Sequence, residues 1–238
     1  MAGILSLTIR QLAGSRRIWL VAALVSLPVL AGVLFHVADS TIAPNEFADR
    51  VTARLIGSAI LPLVMLLVAT AAFGNEVGDR TLVYIALKPL PRWRIVAPKL
   101  FGALVVGAAP VAASGLVAVA VIEQGDLHGA VATGVGLFVG AAAYGAVFTW
   151  AGLATRHALI VGLIYVFIWE AVLAAYLDGI RYLSVRRFTL AVIEGLDGQR
   201  LRSLDLALGA GAGAVGAGIV IVAFTALAVR KLIRMDVP

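Results

Sequence analysis

Six apolar runs, each long enough to cross a bilayer or close to it, decide what this chain can fold into. They lie at Ile18–Ala38, Leu55–Phe73, Leu100–Ile122, Ala130–Ala154, Ala158–Leu177 and Leu206–Val229. A helix needs about 20 apolar residues to cross ~30 Å of hydrocarbon. Lipid offers the backbone no hydrogen bonds, so the spanning segments must be helices or a closed barrel. The expected fold is an all-α membrane protein, a six-transmembrane-helix bundle in one domain over residues 1–238. Composition agrees: 62% of residues are hydrophobic and 13% charged, with a mean hydropathy of +1.03, whereas soluble domains carry about 25% charged residues.

Several function classes drop out. With no cysteine, there is neither a disulfide framework nor a thiolate metal site. His36, His128 and His157 are scattered near the ends of runs and have no metal-ligand spacing. The sequence pI near 10.2 does not indicate nucleic acid, because the basic residues sit in short segments flanking the apolar runs, where they set orientation. No Gly-x-x-x-x-Gly-Lys, Gly-x-Ser-x-Gly or His-Glu-x-x-His occurs, so no phosphate-cradling loop, nucleophile elbow or zinc-protease helix is expected. The chain itself is expected not to be an enzyme and to hold no cofactor or metal. Arg10, Arg16 and Arg17 precede an apolar run longer than the ~7–15 residues of a signal peptide core, so a span rather than a cleaved leader is expected.

Basic residues orient the bundle. With the amino terminus inside, the cytoplasmic segments hold 12 of the 19 lysines and arginines and three acids, Glu76, Asp79 and Asp236. The outer segments hold 7 basic and 9 acidic residues. Both termini are expected in the cytoplasm of a multi-pass cell-membrane protein. The last outer segment, Asp178–Asp205, runs against the rule with five arginines. Within it, Ser184 is placed to cap a helix from Val185 to Glu194, with Gly195 just past its end. Leu5, Ile9 and Leu12 share one face of residues 1–17, an interfacial helix in outline. Pro28, Pro62 and Pro110 fall inside the first three spans and predict kinks. Gly136 and Gly140, and Gly209 and Gly213 continued by Ala214 and Gly218, have the spacing that lets helix backbones approach closely.

The longest polar interruption on one side is Phe73–Leu100, with Glu76, Asp79, Arg80, Lys88, Arg92, Arg94 and Lys99. It reads as two short helices, Glu76 to about Leu87 and a second from Pro91, broken at Pro89. The order Glu76, Gly78, Thr81-Leu82, Leu87, Pro91-Arg92, Ile95, Lys99 resembles the cytoplasmic loop of ABC-2-type ABC transporter permeases, although Asp79-Arg80 separate Gly78 from Thr81 and Pro91 directly abuts Arg92. The resemblance extends to the layout of the chain. It implies an amphipathic N-terminal elbow helix, a cytoplasmic coupling helix between spans two and three, and outer re-entrant helices between spans five and six. It also implies partners: two ABC ATPase subunits, which bind the ATP and Mg, and a second permease, either another copy or a similar chain. The residues it assigns to ATPase contact are Glu76, Asp79, Arg80, Thr81, Leu82, Arg92 and Lys99.

Glu170 is the one charged residue within a span. An acid there costs ~2.5–3.5 kcal/mol, so it must face the interior and have a partner. Two roles are open: a substrate or proton contact on a pathway with Tyr165 and Trp169, which share a helical face, or an acceptor that fixes the outer re-entrant segment through Arg181. Two function classes stand beside the ATP-driven exporter. An ion-coupled secondary transporter would want more intramembrane charge than one glutamate. An ATPase-coupled membrane module would drive a partner protein at the outer face.

Overall fold

The computed structural model describes residues 2–38, 41–78, 91–173, 183–198, 200–201 and 208–234, and these are helical nearly throughout. Helix α1 (Ala2–Ala13) leads into α2 (Arg17–Val37). Next come α3 (Pro44–Arg50), a π-helical stretch Val51–Ile60, and α4 (Leu61–Gly78), in one continuous rod. Helix α5 (Trp93–Ala103), a π stretch Leu104–Ala108 and α6 (Ala109–Glu123) make a second rod. Helix α7 (Leu127–Ala154) follows, then α8 (Ala158–Ile164) running into a π stretch Tyr165–Leu173. Helices α9 (Val185–Leu196) and α10 (Ala210–Ile233) complete the order. Among the described residues five segments are long and apolar enough to cross a membrane: Arg17–Val37, Pro44–Gly74, Trp93–Glu123, Leu127–Ala154 and Ala210–Ile233.

The prolines act through the rods. Proline at position i clashes with the carbonyl of i−4 and donates no hydrogen bond. Pro62 and Pro110 each lie just past a π stretch, where the ladder has already widened, one of the recognised ways a helix absorbs such a break. The polar loop differs from its expected form. Helix α4 runs unbroken through Glu76 to Gly78, and α5 starts at Trp93 and continues into the next rod. The flanks of the loop are thus the tips of two long helices, because neither Pro91 nor Pro98 interrupts the α5 pattern that carries Ile95, Val96 and Lys99 inward. The rest of the expected coupling helix, residues 79–90, lies outside the described residues.

Helix α7 is the centre. Its apolar window is 72% buried, against 17% for α2 and for α10. It packs against α4, α6, α9 and α10. Polar anchors stitch α2 to α6: Ser114 Oγ donates to the Val25 carbonyl at 2.5 Å and His36 Nε2 meets the Val121 carbonyl at 2.7 Å. A second cluster of Phe73, Ile95, Val96, Leu153, Ala228 and Leu232 gathers the ends of α4, α7 and α10 with the start of α5. Helix α1 packs on α5 at the same end, with Thr8 against Gly102. Helix α1 and the end of α10 therefore lie at the end of the bundle where α4 ends and α5 begins.

Helix α9 is short, yet buried on several sides. It sits between α7, α10 and the π stretch of the first rod. Glycines make its seat: Gly136 lies under Ile193, Gly140 under Thr189, Gly213 within 3.0 Å of the Phe188 carbonyl, counted from where its Cβ would be, and Gly216 under the Phe188 ring. The small-residue series on these two helices thus admits a third helix of the same chain, while Gly209 and Gly218 face open space. Gly195, expected beyond the helix end, lies inside it, because Ala210 packs where its side chain would be. A Gly140→Leu substitution is expected to expel α9 from its seat. An overpacked core site costs ~1–3 kcal/mol, read as a lower unfolding temperature in detergent, whereas Gly218→Leu is expected to leave that temperature unchanged.

Candidate functional site

Two carboxylates, one partly and one fully buried, hold the bundle at different places. The first is Glu76, in the last turns of α4. Its Oε1 accepts from Lys99 Nζ of α5 at 2.5 Å, and Nζ also donates to the Ala72 carbonyl at 2.5 Å. The Lys99 side chain is 2% exposed and that of Glu76 15%. The ammonium stands 4.7 Å from the centre of the Phe73 ring, close enough for cation–π attraction. A lysine enters such a site only because its long apolar stem packs while its three donors find oxygen and ring. Glu76 and Lys99 lie 23 positions apart, and the clasp between them closes the two rods at the root of the 79–90 segment.

The second is Glu170, 5% exposed. Its Oε1 accepts the Val185 N–H at 3.0 Å and the Tyr165 hydroxyl at 3.3 Å. Its Oε2 accepts the Ser184 hydroxyl at 2.5 Å. Ser184 is the N-cap of α9, and its Oγ in turn accepts from Arg187 N at 3.3 Å. The first turn of any helix leaves N–H groups unpaired and carries the positive end of the helix dipole. Glu170 supplies the missing acceptor and the opposing charge together. Tyr165 reaches it because the segment is π-helical, which brings positions five apart into register. Trp169 is half-buried and Tyr165 packs on the core edge. Nearby, Arg186 Nη2 donates to the Ala53 carbonyl at 3.1 Å, tying the same turn of α9 to the first rod.

The remaining loop residues are distributed as follows. Arg92 is the N-cap of α5, where its carbonyl receives Ile95 N at 3.0 Å and Val96 N at 3.2 Å. Asp79, Arg80, Thr81 and Leu82 lie outside the described residues, as does Arg181. The structure therefore joins Glu76 with Lys99, and Glu170 with Tyr165, and places a partly buried Arg92 at the start of α5.

A family model for ABC-2 family transporter proteins matches residues 14–176. The chain belongs to the ABC-2 transporter family. No curated protein and no solved structure matches it. The matched region takes in the Glu76–Lys99 clasp and Glu170 but stops before α9, the helix that Glu170 caps.

One cluster in this permease escaped sequence reasoning. At the end of the bundle opposite the clasp, Arg200 is 3% exposed and faces Glu123 at 2.5 Å, Asp49 at 3.1 Å and Asp126 at 3.9 Å. Asp49 Oδ2 also accepts Leu201 N at 3.0 Å. Asp126 Oδ1 accepts Gly129 N at 3.0 Å as the cap of α7, and that hydrogen bond holds the Asp126 carboxyl below its usual range. One arginine thus ties together helix α3, the end of α6 with the turn after it, and the segment after α9. The arginine excess of the last polar segment is answered in part by these distant acids, which no local pattern reveals.

Removing one member of a buried pair leaves the other charged and unmatched, at ~3–5 kcal/mol, whereas replacing both with apolar groups is often neutral. Glu76→Gln alone is expected to destabilise the permease and Glu76→Leu with Lys99→Met to restore most of its unfolding temperature; an additive loss in the pair would contradict the clasp. Loss of the Glu170 charge is expected to cost ~1–3 kcal/mol, with Glu170→Leu worse than Glu170→Gln and Ser184→Ala non-additive with either. The check is a thermal double-mutant cycle.

Proposed function

We propose that this chain is the transmembrane subunit of an ATP-driven ABC exporter, powered by separate ATPase subunits at the cytoplasmic face. The observation that carries the reading is the Glu76–Lys99 clasp, which joins α4 and α5 at the root of the 79–90 segment. A push on that segment reaches two full-length rods as one unit. Asp79, Arg80, Thr81, Leu82 and Arg92 offer the contact surface. Glu76 and Lys99, turned inward, transmit the movement. ATP and Mg belong to the two ATPase subunits, and this chain does no chemistry of its own. Two permeases, alike or similar, enclose the pathway, which switches access as ATP binding and hydrolysis favour one state and then the other.

The architecture that goes with this reading has six crossings, with α1 as the elbow and both termini cytoplasmic. Helix α7 ends beside Leu232 of α10, while the start of α10 meets α9, whose carboxyl end lies at the opposite end of the bundle, where His128 meets the Leu196 carbonyl at 3.1 Å. In this reading the chain between α7 and α10 makes one net crossing, with Ala158–Leu173 as its described part. Helix α9, with its N-cap at Glu170 inside the bundle, fits a re-entrant helix from the outer face. Glu170 spends its acceptor capacity on that cap, which favours the exporter over a carrier that needs a free carboxylate for ion coupling.

The test is co-purification. The chain in mild detergent is expected to retain an ATPase with a phosphate-binding loop, at one copy per permease. Arg80→Glu is expected to release it or to uncouple hydrolysis from transport. A folded chain that retains no ATPase would overturn the reading.

A further inference from the structure

A basic notch opens at the end of the bundle that carries the clasp. It has a volume of about 240 Å³ and is lined by Arg17 at the start of α2, Thr70 and Gly74 of α4, and Arg156 and His157 in the turn before α8. No acid lines it. Among the described residues neither arginine has a carboxylate partner. Arg156 Nε donates to His157 Nε2 at 3.2 Å, which fixes the guanidinium while leaving its outer edge free. Lys99 and Arg200, by contrast, are each matched by buried acids. Arg17 also marks where the apolar stretch of α2 begins, the level at which headgroups meet hydrocarbon.

Below the notch the surface changes character along the same three helices. A groove of about 430 Å³ runs between α2, α4 and α8, lined by Leu20, Leu24, Leu27, Leu63 and Leu163 among other wholly apolar side chains. Leu159 lines both notch and groove, so the two are continuous. From Leu20 to Leu27 the groove follows about 10 Å of helix rise, within the ~15 Å depth of one leaflet. A charged head site opening onto an apolar channel of this length matches one ligand chemistry: a phosphate carrying a hydrocarbon chain.

We propose that this notch and groove bind an anionic phospholipid of the cytoplasmic leaflet, with its phosphate between Arg17 and Arg156 and one acyl chain along the leucines of α2, α4 and α8. Basic pockets between transmembrane helices on the cytoplasmic side recognise lipid headgroups in this way. The occupant joins α2, the least buried of the long helices together with α10, to the core rod α4. The site is separate from the ATPase contact, and its binding does not depend on the transport reading.

The test uses the whole chain in detergent, titrated with dioleoyl-phosphatidylglycerol or dioleoyl-phosphatidylcholine and counted for bound lipid by native mass spectrometry. The wild-type chain is expected to bind the phosphatidylglycerol roughly ten- to thirtyfold more tightly, in keeping with two arginines at the membrane surface. Arg17→Gln with Arg156→Gln is expected to abolish that preference. Arg10→Gln with Arg94→Gln, which removes the same net charge elsewhere, is expected to keep it. Ala23→Phe, an exposed position in the groove wall, is expected to weaken lipid binding while leaving the notch intact. A preference that survives the Arg17 and Arg156 changes overturns the proposal. So does full lipid affinity in Ala23→Phe combined with displacement by glycerol phosphate, which would make the notch a site for a soluble anion instead.

Discussion

The contact on which the interior depends is a carboxylate at the beginning of a helix. A helix that starts inside a bundle, away from water, brings unpaired N–H groups and a positive dipole end into a medium that solvates neither. An acid inside a span faces the converse difficulty. Glu170 and the first turn of α9 resolve each other: Val185 N–H and the Ser184 hydroxyl supply the donors, and the carboxylate supplies the acceptor and the charge. Without Glu170, α9 would have no reason to begin where it does. Without α9, the glycines of α7 and α10 would line a gap.

Much of this was legible in the chain. Five of the expected spans follow from apolar length, and Ser184 is a visible cap. The need of Glu170 for a partner could be read from energetics, but not the partner, because an arginine such as Arg181 looks like the natural mate and a backbone N–H leaves no trace in a side-chain pattern. The π stretch that lets Tyr165 reach Glu170 is equally hidden, since nothing in Tyr165–Leu173 announces a widened turn. Lys99 shows a different limit. A lysine in a polar loop reads as solvated, and only the depth of α5 against Phe73 and Ala72 shows that it is buried. The Arg200 cluster draws on residues 151 positions apart, a separation beyond any local pattern.

The two ends of the bundle are held by different means. At one end a single lysine–glutamate pair under an aromatic ring closes two rods. At the other a buried arginine gathers acids from α3 and from the end of α6 and the turn after it. The first is a point contact between neighbouring helices and lets them tilt together. The second spans three parts of the chain and resists any movement that separates them.

The seat of α9 also bears on how the protein is made. The walls supplied by Gly57 of the first rod and by Gly136 and Gly140 of α7 leave the ribosome before α9 does, and so does Glu170; Gly213 and Gly216 of α10 come after it. Chains fold broadly from the amino terminus as they emerge. Helix α9 thus meets its cap and half its pocket ready-made, and the last helix closes over it. The order of residues along the chain doubles as an order of assembly, in which the final span is the door rather than the frame.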